Sequence, residues 1–241
     1  MKYAIYRIHY GLDFLEQSIN SIYDHVDRIF IFWSQLPWYK KCENLPPLSE
    51  NVTRFCVEKF GTQKVFVYVK EFDKPDNQFK LMYDQVAFDH GKPSQCLMME
   101  PDMVFEKHAE DIFKSKDSEI SFDQIEYWKT KDWYVPRKKP RPGPTLWNVA
   151  PEATKKGCWN NPDHMHPLIK CFNYGFMLSP EVMKYRVEVL IQSSKYYSDS
   201  IPSKDWYEDK WLNWTPETTD LEISEKHKDY IKKAEPWVSQ K

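Results

Sequence analysis

Two acids stand one residue apart in Glu100-Pro101-Asp102, directly after the apolar run Cys96–Met99 and directly before a second one, Met103–Phe105. A short apolar run of this kind reads as a buried strand, which puts both carboxylates at its carboxyl end. An unpaired carboxylate is costly to bury. A divalent cation such as Mg2+ or Mn2+ offsets that cost, because both take hard oxygen ligands. Without a ligand the same acids simply face water or cap the next turn. What the rest of the chain builds around them decides between the two.

A second acidic group, Asp205, Glu208 and Asp209, lies in DWYEDKW (205–211). If that stretch is helical, Asp205 and Asp209 share a face at i, i+4. Glu208 and Trp211 are also neighbours on such a helix. Asp123 is a further acid, set inside a strand-like pattern. His164 and His166 are spaced i, i+2, so in extended chain only one of them faces a given ion. Arg137, Lys138, Lys139 and Arg141 alternate with Pro136, Pro140, Pro142 and Pro144. They read either as a solvated charge run or as a partly ordered lid over phosphates.

The elements that must position these groups follow from periodicity. Tyr3–Ile8 is a strand. Leu12–Val26 carries apolar residues at helical spacing, and Ile29–Trp33 is a near-continuous apolar strand of the kind covered on both faces. Gln35–Ser49 is loop. Glu50–Phe60 is an amphipathic helix stopped by Gly61, Lys64–Val69 a third strand, and Asp76–His90 a helix stopped by Gly91. The order is β-α-β-α-β-α-β, ending at the acid pair. It predicts an α/β fold with a doubly wound, mostly parallel central sheet and flanking helices, Rossmann-like in layout. Ligands of such sheets bind outside the carboxyl ends of the strands. Those ends are Arg7–Tyr10, Trp33-Ser34, Lys70–Phe72 and Glu100–Asp102, which are expected to line one crevice. Within it Arg7, His9, Tyr10, Trp33, Asn77 and Lys80 are candidates to hold a nucleotide, with Tyr10 or Trp33 stacking on its base.

After residue 105 the chain is predicted to become loop-rich. A polar helix is expected over Glu106–Lys116 and a strand over Glu119–Trp128, with Asp123 and Glu126 as polar insertions. Residues 131–170 read as one long loop, followed by a strand over Phe172–Leu178 and a helix from Pro180 to about Ser193. A polar helix is expected near Ile223–Ala234. The two halves, 1–105 and 106–241, are expected to share one core as a single domain.

Composition narrows the function. The 241 residues include 10 Trp, 15 Tyr and 14 Phe, enough for a thick core and for a site that stacks on rings. A net charge of −2 gives no case for nucleic-acid binding. Five cysteines, none in CxxC spacing, are expected as reduced thiols in a cytoplasmic protein. No apolar run approaches the roughly 18 residues of a transmembrane span. Neither GxGxxG nor GxxxxGK[ST] occurs, so a crevice that holds a nucleotide must do so without a glycine-rich cradle.

The strand order ending in acid-x-acid resembles the GT-A-fold glycosyltransferases, and Asn173-Tyr174-Gly175-Phe176, the helix from Pro180 and Trp206-Tyr207-Glu208-Asp209 follow the order seen in the family-2-like inverting enzymes. The resemblance implies that Asp102, in a Glu-Pro-Asp variant of the DxD motif, holds Mn2+ or Mg2+ on the diphosphate of a nucleotide-sugar donor, with Glu100 either a second ligand or reaching the donor's ribose or the metal through water. It implies a later histidine, His166, as a further ligand, and a base that deprotonates the acceptor hydroxyl, with Asp209 leading, Glu208 and Asp205 behind it and Asp123 a further candidate. The expected reaction moves a sugar to a hydroxyl of a glycan or glycoconjugate acceptor, with inversion. A sugar-phosphate nucleotidyltransferase is the first alternative, although such enzymes open with a glycine-rich basic loop and this chain has only Gly11 there. A non-enzymatic carbohydrate-binding protein is the second.

Overall fold

The computed structural model of the protein describes residues 1–37, 45–71, 78–135, 142–148, 165–192, 205–218 and 232–233. Its first half is the expected alternation. β1 (Lys2–Ile8), β2 (Arg28–Trp33), β3 (Val65–Val69) and β4 (Gln95–Met99) are joined through α1 (Leu15–Ile22), α2 (Val52–Phe60) and α3 (Gln78–His90). The four strands are parallel and lie in the order β3-β2-β1-β4. The order reverses between β1 and β4, which makes their shared carboxyl end the switch point of the sheet.

Alternation along β1 builds the two layers. Ala4, Tyr6 and Ile8 pack with Leu15, Ile19 and Ile22 of α1 and with Val52 and Cys56 of α2. Tyr3 and Ile5 point the other way, onto Phe79, Met82, Tyr83 and Val86 of α3. With helices on both faces the sheet is doubly wound. Each face buries large apolar side chains, each worth about 1.5–3 kcal/mol when fully withdrawn from water.

The second half extends the same sheet where the sequence suggests loop. β6 (Glu119–Trp128) and β8 (Pro142–Trp147) continue it beyond β4, with β8 antiparallel to both β4 and β6. β7 (Thr130–Val135) pairs antiparallel with β6, and β9 (Met165–Phe176) pairs parallel with it. Thus the predicted loop over 131–170 contains parts of three strands. The reason is legible in retrospect: β8 reads PGPTLW, and two prolines and a glycine mask a strand whose ladder is supplied by its neighbours. A two-residue strand, β5 (Met103–Val104), follows the acid pair and pairs with β9. The polar helix expected over 106–116 shrinks to α4 (Ala109–Ile112). α5 (Pro180–Gln192) matches expectation. Tyr207–Leu212 is a π-helical turn, and β10 (Lys232–Lys233) pairs with Trp133 and Tyr134 where a helix was expected. The remainder of that predicted helix lies outside the described residues.

Cys56, Cys96 and Cys171 are free and buried, and no helix among the described residues is long and apolar enough to cross a membrane. α2 starts two residues later than expected because Asn51 caps it, its side chain accepting from Arg54 N at 2.9 Å. Asn51→Ala should cost about 1 kcal/mol and lower the melting temperature by roughly 2–4 °C, read by thermal denaturation.

Candidate active site

The carboxyl ends of the first four strands are tied to one another by polar contacts. At β1, His9 is buried, and its Nδ1 donates to Ser34 O beyond β2 at 2.9 Å. Tyr185 of α5 donates its hydroxyl to His9 Nε2 at 3.1 Å, which leaves the proton on Nδ1. Ser34 Oγ donates to Glu71 beyond β3 at 2.6 Å, and Gln35 N donates to the same carboxylate at 3.0 Å. Arg7 pairs with Glu100 beyond β4, donates to Gln78 Oε1 at 3.2 Å and lies 5.0 Å from the centre of the Phe79 ring. Every strand end expected to line the crevice is therefore in this chain of contacts.

Asp102 is held from the other half of the chain. Its carbonyl accepts from Tyr174 N at 2.7 Å, and its Oδ2 lies 3.9 Å from Arg186 Nη1 of α5. Arg186 also donates to Gly175 O. Gly175 is what permits this approach. A Cβ there would fall 2.7 Å from Asp102 Oδ2 and 2.8 Å from Asn173 Oδ1, and would overlap Arg186 Nη1. The two acids of the motif thus each face a guanidinium, Glu100 that of Arg7 and Asp102 that of Arg186. Tyr10 sits in the field of all four charges. Burial raises its phenol to about 12, and Asp102 and Glu100 push the same way while Arg186 and Arg7 oppose.

A buried polar row continues from Asp102 across β9 to β6. Asn173 Nδ2 donates to Gln124 Oε1 at 3.2 Å, Asn173 Oδ1 accepts from Gly175 N at 2.8 Å, and Glu126 is the register partner of Asn173. Gln124, Glu126 and Asn173 are all buried. The pairing of β6 shifts register between Glu126 and Trp128, a bulge that bends the strand beside the site.

The acidic turn is anchored to the same place. Trp211 Nε1 donates to Phe176 O at 2.8 Å, one residue past Gly175, and Tyr207 OH donates to Pro180 O at 3.1 Å. Trp206, Tyr207 and Trp211 are buried beneath the turn, while Asp205, Glu208 and Asp209 are exposed above it. Asn213 N reaches Glu208 O at 3.1 Å, the i→i−5 bond of the π-turn, a distortion frequent at functional sites.

Other candidates stand elsewhere. Trp33 is buried in the core beside Ile31 and Leu15, so its ring is packed by protein on the α1 side. Lys80 is paired along α3 with Asp84 at 2.6 Å. Asp123 accepts from Lys170 at 2.7 Å within the β6–β9 ladder. His166 is the second residue of β9, seven residues before Asn173, or about 23 Å in extended chain. Its ring stacks on Phe122, and its Nδ1 accepts from Leu168 N and Ile169 N at 3.2 and 2.9 Å. A ring that accepts at Nδ1 carries its proton on Nε2, so neither nitrogen offers a lone pair to an ion. Asn77, His164, Arg137, Lys138, Lys139 and Arg141 lie outside the described residues.

The cation implied by the resemblance fits this donor set poorly. His166 is remote, and the two acids that remain are balanced by two arginines. Among the described residues a guanidinium stands beside each of the two acids and would compete with a divalent ion for the carboxylates. His108, Glu110 and Asp111 do bring ligand atoms within 4.8 Å of one another. His108 caps α4 and Glu110 and Asp111 lie within it; the following Phe113 contacts Lys2 and Gln95 at the amino ends of β1 and β4, and Asp111 already holds Lys114. A cavity bordered by Met1, Asp24, Asp27, Ser94 and Glu110 opens on that same amino edge, away from the acid pair.

Arg186, Gln78, Glu71 and Tyr185 escape a reading of the sequence. For Arg186 a signal existed: it falls four residues after Val182 and three after Met183, on the buried stripe of α5, where a charge needs a reason.

No family model matches the chain, and no curated protein matches it. Solved structures share its general layout at low similarity. HddC from Yersinia pseudotuberculosis, complexed with GMP-PN, aligns at 12% identity over 61% of this chain and 74% of that one, with a TM-score of 0.38. The inositol-1-phosphate CTP transferase from T. maritima aligns at 9% identity over 81% and 97%, with a TM-score of 0.40. A 4-diphosphocytidyl-2C-methyl-D-erythritol synthase from Anaerococcus prevotii aligns at 12% identity over 86% and 82%, with a TM-score of 0.34. At these values none transfers a site or an activity.

Burial holds the pKa of both His9 and His166 below the ordinary histidine value. The unfolded chain then binds more protons than the folded one once pH falls below about 6.5, so stability is full above that value and is lost on acidification. His9→Asn, which keeps a donor toward Ser34, should flatten the fall in melting temperature between pH 7 and pH 5 relative to the parent protein.

Proposed function

We propose that the protein is a glycosyltransferase that takes a sugar from a nucleotide diphosphate and passes it to a hydroxyl acceptor. The observation that carries this reading is the junction of Asp102 with Gly175. It places the acids at the switch point of a parallel sheet against a wall from the second half of the chain. A nucleotide then lies along the carboxyl ends of β1 and β2, with its diphosphate toward the charged group and its sugar over Asn173 and Gly175. The exposed carboxylates of the π-turn, anchored through Trp211 to Phe176, stand at the rim where an acceptor approaches. There Asp209 is the leading base.

A nucleotidyltransferase uses the same sheet and the same edge, and forms the nucleotide sugar rather than consuming it. It needs a seat for a triphosphate after β1. In this protein the backbone N–H groups of Gly11 and Leu12 both donate to Glu50, at 2.9 and 3.0 Å, so the turn is filled by the chain's own carboxylate. A carbohydrate-binding module would need exposed rings. Among the described tryptophans, Trp33, Trp128, Trp147, Trp206, Trp211 and Trp214 are instead each at most 8% exposed, and Trp133 is half-buried. The same burial withdraws these tryptophans as stacking platforms for a glycan acceptor, so the acceptor is proposed only as a hydroxyl compound.

The two enzymatic readings differ in what is released. Incubation with UDP-, GDP-, CDP- and dTDP-sugars should yield the nucleoside diphosphate. Pyrophosphate released from a nucleoside triphosphate and a sugar 1-phosphate, with no diphosphate from any nucleotide sugar, would transfer the assignment to nucleotidyl transfer. Asp209→Asn should lower kcat by roughly 10²–10⁴-fold while leaving donor affinity within about threefold, as general-base removal does. A parallel collapse of donor affinity would make Asp209 part of the donor site.

A further inference from the structure

We propose that Arg186, held by Asp102, is the cation that receives the donor's diphosphate, and that transfer proceeds without a divalent metal. The inference rests on the glycosyl-transfer reading above and concerns how its leaving group is stabilised.

The starting point is the charge balance. Arg7 and Glu100 form one pair, and Arg186 and Asp102 form another, with the side chains only 11–26% exposed. The two pairs are not equivalent. Arg7 is committed on several sides, to Glu100, to Gln78 and to the Phe79 ring. Arg186 donates to Gly175 O through Nη1, and that same atom is 3.9 Å from Asp102 Oδ2, beyond hydrogen-bond length. Its Nε and Nη2 make no hydrogen bond among the described residues, and neither is among the sealed polar atoms. The guanidinium is thus aimed by Gly175 O and Asp102, flanked by the Phe176 ring at 5.3 Å, and still has donors to give. A planar fork of N–H groups with a fixed direction is the arrangement that recognises phosphate oxygens in a bidentate way.

In the reaction the acceptor oxygen bonds to the anomeric carbon as the bond from that carbon to the diphosphate oxygen breaks. The electron pair stays on the diphosphate, and the acceptor proton passes to a carboxylate. The charge gained by the leaving group falls beside Arg186, a fixed donor in a poorly solvated site, where such stabilisation is strongest. Asp102 acts through Arg186 as a positioning residue. Gly175 takes part by its lack of a side chain, since any Cβ there would displace the guanidinium.

Isothermal titration with UDP, GDP, CDP and dTDP, first in EDTA and then in Mn2+, tests this. One nucleotide should bind the parent protein with an affinity that changes less than about threefold between the two buffers. Arg186→Gln should weaken it at least tenfold, with Arg186→Lys recovering part of the loss and melting temperatures confirming that both variants are folded. Turnover of the matching nucleotide sugar should persist in EDTA. Binding that disappears in EDTA and returns with Mn2+ would overturn the proposal while leaving glycosyl transfer intact. Full affinity in Arg186→Gln would overturn it as well. No binding by any nucleotide in either buffer would sink this inference and the glycosyl-transfer reading together.

Discussion

The need to balance two carboxylates at the end of a buried strand organises the site. Glu100 and Asp102 come one residue apart, and Met99 before them and Met103 after them are both buried. Acids so placed must find positive charge or hydrogen-bond donors, because removing them from water is expensive otherwise. Glu100 finds Arg7 on the neighbouring strand. Asp102 finds Arg186 far along the chain in α5, and its carbonyl accepts from Tyr174 N of β9, so it meets both elements.

Packing supplies what charge alone does not. The approach of Arg186 to Asp102 works only because β9 presents a glycine, and β9 is itself locked to β5 and β6 on either side. The aromatic cluster of Trp128, Trp206, Trp211 and Trp214 then clamps the end of β9 and the start of α5. Each large ring buries roughly 150–250 Å2, so the cluster is a heavy anchor for an otherwise polar turn. This gives the abundance of tryptophan a structural meaning. The rings hold exposed acids in place and do not themselves face solvent.

The parallel half of the fold was legible because its signals are local. Period-2 runs, helical stripes and glycine stops at Gly61 and Gly91 name each element in turn, and the strand order places their carboxyl ends together. The antiparallel half was illegible for the opposite reason. β7 and β8 carry weak patterns and owe their existence to partners far away in sequence, as the pairing of Cys96 with Trp147 shows. The acid pair was legible for the same local reason as its strand. Its counter-charges were not, since nothing in the spacing of Arg7 or Arg186 marks them as neighbours of Glu100 and Asp102. His166 stands near the start of β9 with its Nδ1 engaged by two backbone N–H groups, local contacts that the i, i+2 spacing with His164 does not reveal.

The contrast between the turn after β1 and the group after β4 separates the chemistries the sheet permits. Both are places where a doubly wound fold can receive phosphate. At Gly11 the left-handed backbone (φ 91°) exposes consecutive N–H groups, the makings of an anion nest, yet Glu50 already occupies it. At Asp102 the positive charge is neutralised but not saturated: Arg186 faces its carboxylate at a distance that leaves room for a stronger acceptor. An incoming diphosphate would have to expel Glu50 from two backbone hydrogen bonds to use the first site. Beside Asp102, Arg186 makes one hydrogen bond among the described residues, to Gly175 O. The turn after β1 is thus closed by the chain's own carboxylate, whereas the group after β4 is held by a looser charge pair.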